Sequence, residues 1–238
     1  MEKWIYSFNK SIDEIENPSE LLGNKGAGLN LMTGLDLPVP QGFTILTKLN
    51  HYFQKNKSFP DEFENELIKN IFDLEKKSNC KFGSSTNPLL LSVRSGSQKS
   101  MPGMLDTILN IGFNRKVLEF YEKQNKPLFA WDTWRRFLHM FSHVVYKIEH
   151  FYFDEILDSY LLGAGLQFEK DLGVNDIQEI CSQYLTLIED RIGKPFPEDV
   201  NEQLMLSIKA VMESWFNERA IDYRRINDVP DDFGTAVS

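Results

Sequence analysis

The sequence has no apolar run near the roughly 20 residues a bilayer-spanning helix needs, so no segment is expected to cross a membrane. Its start, Met1-Glu2-Lys3-Trp4, lacks a basic stretch followed by an apolar one, so no secretory signal is read there. Cysteine is scarce. Cys80 and Cys181 form no CxxC pair, which argues against a zinc or redox motif and points to a reduced, cytoplasmic setting. Positive charge is also short. The net charge of −9 lacks the basic footprint of a nucleic-acid binder. There is no GxSxG, and no histidine follows an apparent nucleophile, so a hydrolase gains no support. His139 and His143 stand four apart, but no Glu between them completes HExxH and no third ligand is evident, so no metal site is expected. Carboxylates are plentiful, yet no pair sits in a setting that implies acid–base work, and no catalytic residue is expected in this stretch.

One absence is local. From Lys76 to Leu105 there is no Asp or Glu, while Lys76, Lys77, Lys81, Arg94 and Lys99 fall in the same window. A basic window in an acidic chain marks either an anion site or a solvated basic surface.

What is present fits a globular protein. Hydrophobic residues make up 42% of the 238, enough for a sizeable core. Trp4–Phe8 reads as a short strand, and Leu21–Gly28 as a glycine-rich turn opening a helix that Pro38-Val39-Pro40 stops. Gly42–Leu46 is a second strand, and helical patterns cover Leu49–Gln54 and Asp61–Lys77. Pro88–Arg94 reads as one continuous apolar strand buried on both faces, ending in a charge. Ser95–Met104 is a loop, and Thr107–Ile111 another strand.

After Gly112 the pattern turns helical. Trp131, Trp134, Phe137, Leu138, Phe141, Val145 and Ile148 share one face, and further helices are expected at Tyr152–Phe168 and Asp176–Arg191. Val200–Arg225 reads as one long amphipathic helix, and Phe233–Val237 opens a strand. An α/β unit, an all-α block and a returning helix together give an α+β class.

Three segments could carry chemistry. In Gly23-Asn24-Lys25-Gly26-Ala27-Gly28, glycines let backbone N–H groups approach a ligand, a helix N-terminus favours phosphate, and Lys25 adds a mobile cation. The plain alternative is a helix start with a surface lysine. In Ser92-Val93-Arg94-Ser95-Gly96-Ser97 a strand delivers an arginine toward its own end, where ligands of open α/β sheets tend to bind. A guanidinium fork matches phosphate oxygens, and it equally serves a structural salt bridge. The loop Lys99–Thr107, with Met101 and Met104 flanking Pro102-Gly103, could cover a nucleotide as a mobile lid, or could tuck its methionines into the core.

Taken in order, these segments resemble one family. Leu21–Leu29, Leu37–Ile45, Ser92–Gly96, Ser100–Thr107, Trp134-Arg135-Arg136-Phe137, Tyr223–Pro230 and Gly234–Val237 are similar to the start of the pyruvate, phosphate dikinases. The resemblance runs essentially end to end, and Ser-Met-Pro-Gly-Met is its most specific part. Phosphoenolpyruvate synthases look similar at the Lys-Gly and Val-Arg-Ser segments, but their acidic Ala-Glu-Asp after the arginine is absent here. Asn24, Gly28 and Leu105 depart from the family pattern without removing a charge.

The resemblance implies an incomplete ATP-grasp type nucleotide-binding domain: an α/β subdomain over 1–113, a helical insert over 114–195, and a return segment over 196–238. It implies that Lys25 and Arg94 match the family's ATP-phosphate-binding lysine and arginine. Met101, Gly103, Met104 and Thr107 match its phosphate-covering loop. ATP with Mg²⁺ is the implied cofactor, with the metal's carboxylates and the closing part of the domain expected beyond Ser238. Inorganic phosphate and a phosphohistidine domain are the implied partners, with pyruvate becoming phosphoenolpyruvate. Neither a Thr-Ser-His-Ala phosphohistidine segment nor a pyruvate-binding barrel is present, so the stretch by itself is expected to turn nothing over. The competing expectation is a non-catalytic interaction module that docks a partner through aromatic segments 131–141 and 151–153.

Overall fold

The computed structural model describes residues 2–8 and 15–238. Its elements follow in order as β1 (Ile5–Ser7), α1 (Pro18–Gly34), β2 (Phe43–Ile45), α2 (Thr47–Asn56), α3 (Asp61–Ser78), β3 (Lys81–Phe82), β4 (Pro88–Leu89), β5 (Leu91–Gly96) and β6 (Thr107–Ile111). Then come α4 (Arg115–Lys123), α5 (Pro127–Tyr146), α6 (His150–Ala164), α7 (Val174–Ile192), α8 (Val200–Glu213), α9 (Glu218–Ile226) and β7 (Ala236–Val237). The mixture of helices with a small sheet is the expected α+β class. No described helix is long and apolar enough to cross a membrane.

Two compact units emerge, one of Met1–Cys80, Val93–Thr107 and Ile208–Ser238, the other of Lys81–Ser92 and Ile108–Ser207. The larger sheet has the order β1-β2-β7-β5-β6. β7 is the last element in sequence yet lies in the middle, antiparallel to β2 (Ile45 opposite Val237) and to β5 (Gly96 opposite Ala236).

In the first unit, α3 has Asp61, Glu62 and Glu64 in its first turn and Lys76 and Lys77 in its last, which suits the helix dipole. Phe63, Leu67, Ile71 and Leu74 form its buried stripe. Glu66, on the same helix, accepts the Trp4 and Ile5 N–H groups at 2.9 and 3.2 Å and so fixes the start of β1. In the second unit, the Asn114 side chain caps α4 by accepting the Val117 N–H at 3.1 Å. α5 buries Trp134, Phe137, Leu138 and Phe141, and Phe196 packs edge-on against three of those rings. Each such side chain stabilises the fold by about 1.5–3 kcal/mol.

Several expectations are corrected. Pro88–Arg94 is not one strand. It divides into β4, paired parallel with β3, and β5, which continues through Gly96 because β7 supplies its hydrogen-bonding partner. β5 is not buried on both faces: Val93 and Ser95 point inward while Ser92 and Arg94 are exposed. The long helix expected over Val200–Arg225 breaks. Ser214–Phe216 form a short 3-10 turn, and Asn217 is extended at φ −62°, ψ 143°. On α5 it is Val144, rather than Val145, that is buried, and Ile148 lies just past the helix. The aromatic segments proposed for docking are mainly core: Trp134, Phe137, Phe141 and Phe153 are buried, although Phe151 is 65% exposed. Arg135 is also buried, and it pairs with Asp132 at 3.0 Å and Glu169 at 2.6 Å.

Candidate functional site

The first unit contains every residue singled out for phosphate: Lys25, Arg94, Met101, Gly103, Met104 and Thr107. The glycine-rich turn proves to be a one-residue kink. α1 runs through it, and Gly26 and Gly28 are helical, but Gly23 has φ 64° and ψ 168°. Two facts demand glycine at this position. The positive φ is one, and the other is that a Cβ there would lie 1.8 Å from the Gly96 carbonyl oxygen. The kink therefore lets the chain press against the end of β5, and the Asn24 N–H donates to the Ser97 carbonyl at 3.0 Å.

This contact brings Lys25 to β5. A Cβ built on Gly96 would sit 3.5 Å from the Lys25 Cβ. The lysine is exposed, yet enough protein surrounds its ammonium that lost hydration, and then the Arg94 charge, lower its pKa below the ordinary 10.5. Arg94 is exposed on β5, two residues short of the strand's end at Gly96 rather than at its tip. Its backbone is locked to the last residue of the chain: Arg94 N–H donates to the Ser238 carbonyl at 2.7 Å, and Ser238 N–H to the Arg94 carbonyl at 2.8 Å. Among the described residues neither Lys25 nor Arg94 has a carboxylate partner. Two neighbouring cations without a counter-ion suit a polyphosphate, which would neutralise their mutual repulsion.

The methionine loop is arranged differently. Met104 N–H donates to the Met101 carbonyl at 3.2 Å, closing a turn with Pro102 and Gly103 at its centre. Gly103 has φ 73°, as the third residue of a type II turn requires, and no atom lies within 4 Å of where its Cβ would be. Met101 is 7% exposed and packs with Trp215, Ala220 and Val229, while Met104 is partly buried against the same cluster. Thr107 is the first residue of β6. Ser95 and Ser97 are buried, and the Ser97 hydroxyl is taken up by the Lys99 carbonyl.

Sequence reasoning missed the pieces that hold this arrangement. Thr235 Oγ1 accepts the Gly96 N–H at 3.2 Å, and Thr44 and Ser238 hydroxyls meet at 2.9 Å. Gly234–Val237 stands out as a motif in the sequence, but the partner of Thr235 lies 139 residues away and no local pattern names it. His139 and His143 do gather a third imidazole, His150, whose Nδ1 is 2.8 Å from His139 Nε2. Among the described residues, however, no group of three or more His, Cys, Asp or Glu side chains is placed to hold a metal.

Comparison with known proteins places the chain. The family model for the pyruvate phosphate dikinase AMP/ATP-binding domain matches residues 54–238. The chain is 42% identical over 241 aligned positions to the pyruvate, phosphate dikinase of Clostridium symbiosum, and 45% over 242 to that of Rickettsia prowazekii, with all of this chain covered each time. It is 40% identical to that of Giardia intestinalis, with 98% of this chain covered. It spans 27% of the length of each of these relatives. The chain belongs to the pyruvate phosphate dikinase AMP/ATP-binding domain family.

Proposed function

We propose that this chain grips the phosphate tail of ATP between Lys25 and Arg94, with the Met101–Gly103–Met104 turn and Thr107 flanking it. The observation that carries this reading is the adjacency of two cations lacking a carboxylate partner among the described residues, one on a kinked helix and one on a central strand. Phosphoryl transfer is catalysed mainly by positioning and charge neutralisation, and two such cations contribute both. Because Met101 is packed into the core, its part in ligand contact falls to its backbone, and Gly103 supplies the open surface of the turn.

Within a longer protein, the chain serves as the nucleotide-binding portion of an enzyme converting ATP, inorganic phosphate and pyruvate to AMP, pyrophosphate and phosphoenolpyruvate through a phosphohistidine. The relatives' name and the chain's share of their length support this role. The Mg²⁺ ligands and the phosphohistidine domain lie outside these 238 residues, the setting is cytoplasmic, and the chain alone turns nothing over. The division into 1–113, 114–195 and 196–238 is part of the same proposal. The grouping of Ile208–Ser238 with Met1–Cys80 supports a segment that returns to the first.

Titration calorimetry with ATP tests the reading. Lys25→Ala and Arg94→Ala should each weaken binding by about 1.5–3 kcal/mol, the cost of a lost charge-assisted hydrogen bond. Unchanged affinity in both variants would refute the assignment.

A further inference from the structure

The stretch between β5 and β6 has no regular structure of its own, yet it is tied repeatedly to one segment, residues 214–229. Lys99 Nζ donates to the Asn227 carbonyl at 2.8 Å, and the Tyr223 hydroxyl to the Ser100 carbonyl at 3.4 Å. Met101 is sunk among Trp215, Ala220 and Val229. Arg219 Nε donates to the Met104 carbonyl at 3.1 Å, and its Nη2 forms an ion pair with Asp106 Oδ1. Asp106 is nearly out of water, at 9% exposure. Its Oδ2 accepts from Asn217 Nδ2 at 3.3 Å, and its N–H donates to Ser214 Oγ at 3.2 Å.

Arg219 thus meets two needs at once. It satisfies a carbonyl inside the turn, and it neutralises a buried carboxylate one residue before Thr107. Asp106 is also the first acid after the acid-free window that begins at Lys76. Left uncompensated, its charge would oppose any anion held by that window. We propose that the Asp106–Arg219 pair is a positioning latch for nucleotide phosphates, setting the Met101–Thr107 turn in its binding shape before ligand arrives. The inference rests on the ATP reading above. A turn ordered in advance spares the ligand the entropic cost of ordering it, so the latch acts on affinity through the turn and needs no contact with ATP. Of the two readings the sequence leaves open, a mobile lid and methionines tucked into the core, these contacts favour the second, with the loop tied to residues 214–229.

The test compares the 238-residue chain with Arg219→Ala, Arg219→Lys and the double variant Arg219→Ala/Asp106→Asn, by ATP calorimetry and amide hydrogen exchange. Arg219→Ala should weaken ATP binding about tenfold and speed exchange at Met104 and Asp106, leaving β1, β2 and α3 protected as before. Arg219→Lys, which keeps the charge, should recover most of the affinity. The double variant, which removes the stranded carboxylate, should recover part of it. Should Arg219→Ala not fold, Arg219→Gln and Asn217→Ala are read in the same way. A folded Arg219→Ala with wild-type ATP affinity, while Lys25→Ala loses affinity, would overturn the latch and leave the ATP reading standing. Equal losses in the alanine and lysine variants, with exchange faster throughout the unit, would reduce Arg219 to a structural residue. A wild-type chain that holds no ATP would overturn the ATP reading and the latch with it.

Discussion

Lys25 on α1 and Arg94 on β5 are neighbouring cations, brought together by a helix kink at Gly23 that fits against the carbonyl of Gly96. Burial first, and then the Arg94 charge beside it, lower the Lys25 pKa below its ordinary value.

A bound anion reverses that shift, because it favours the ammonium. Phosphate or ATP affinity should therefore decline as pH rises through the lowered lysine range, below 10.5, and proton uptake should accompany binding there. Calorimetry in buffers of different ionisation enthalpy reads the uptake. Lys25→Ala should abolish it.

Gly23→Ala should harm both stability and binding. The new methyl group would collide with the Gly96 carbonyl, and the residue would be held at φ 64°. A destabilisation of about 1–3 kcal/mol is expected from urea unfolding, with weaker ATP binding because Lys25 is pushed away from β5. Gly28→Ala is the control, since no atom lies within 4 Å of its Cβ position and it should be neutral or slightly stabilising.

Met101→Ala separates packing from ligand contact. Its side chain fills the cluster with Trp215, Ala220 and Val229, so truncation should cost about 2–5 kcal/mol of stability. Met101→Leu, which conserves volume, should retain both stability and ATP affinity. Loss of affinity in a stable Met101→Leu chain would show that the sulfur itself touches ligand.

His139 and His150 in the second unit predict acid lability. His139 Nε2 lies 2.8 Å from His150 Nδ1, and His143 stacks on His150 at 3.5 Å between ring centres. Burial first, and then neighbouring His150, lower the His139 pKa to about 4, and burial followed by His143 lowers that of His150. The unfolded chain takes up these protons near pH 6.5 while the folded one stays neutral, so stability should fall as pH drops from about 6.5 toward 4. His139→Phe should flatten that slope, as measured by thermal unfolding across the range.

Much of the local structure was legible in the residues. Thr107–Ile111 is the strand expected there, and α3 follows the expected helical pattern Asp61–Lys77 almost to the residue. Lys25 and Arg94 stand out in the sequence because glycine and strand context make them unusual cations. The break at Ser214–Asn217 was invisible, since no proline or glycine marks it. It depends on Ser214, whose hydroxyl bonds Val211 and receives the Asp106 N–H. The Asp106–Arg219 pair spans 113 residues, and no spacing rule reaches so far.

By itself the sequence determined the family, the α+β class and the outlines of elements such as α3 and β6, because periodicity, capping and motif chemistry are local properties of the chain. Only the tertiary structure decided that Arg94 sits inside its strand, that the final strand becomes a central one, and that the methionine loop is strapped down instead of free. Those outcomes depend on hydrogen bonds and buried contacts between residues far apart in sequence, whose free energy exists only once the chain has closed on itself.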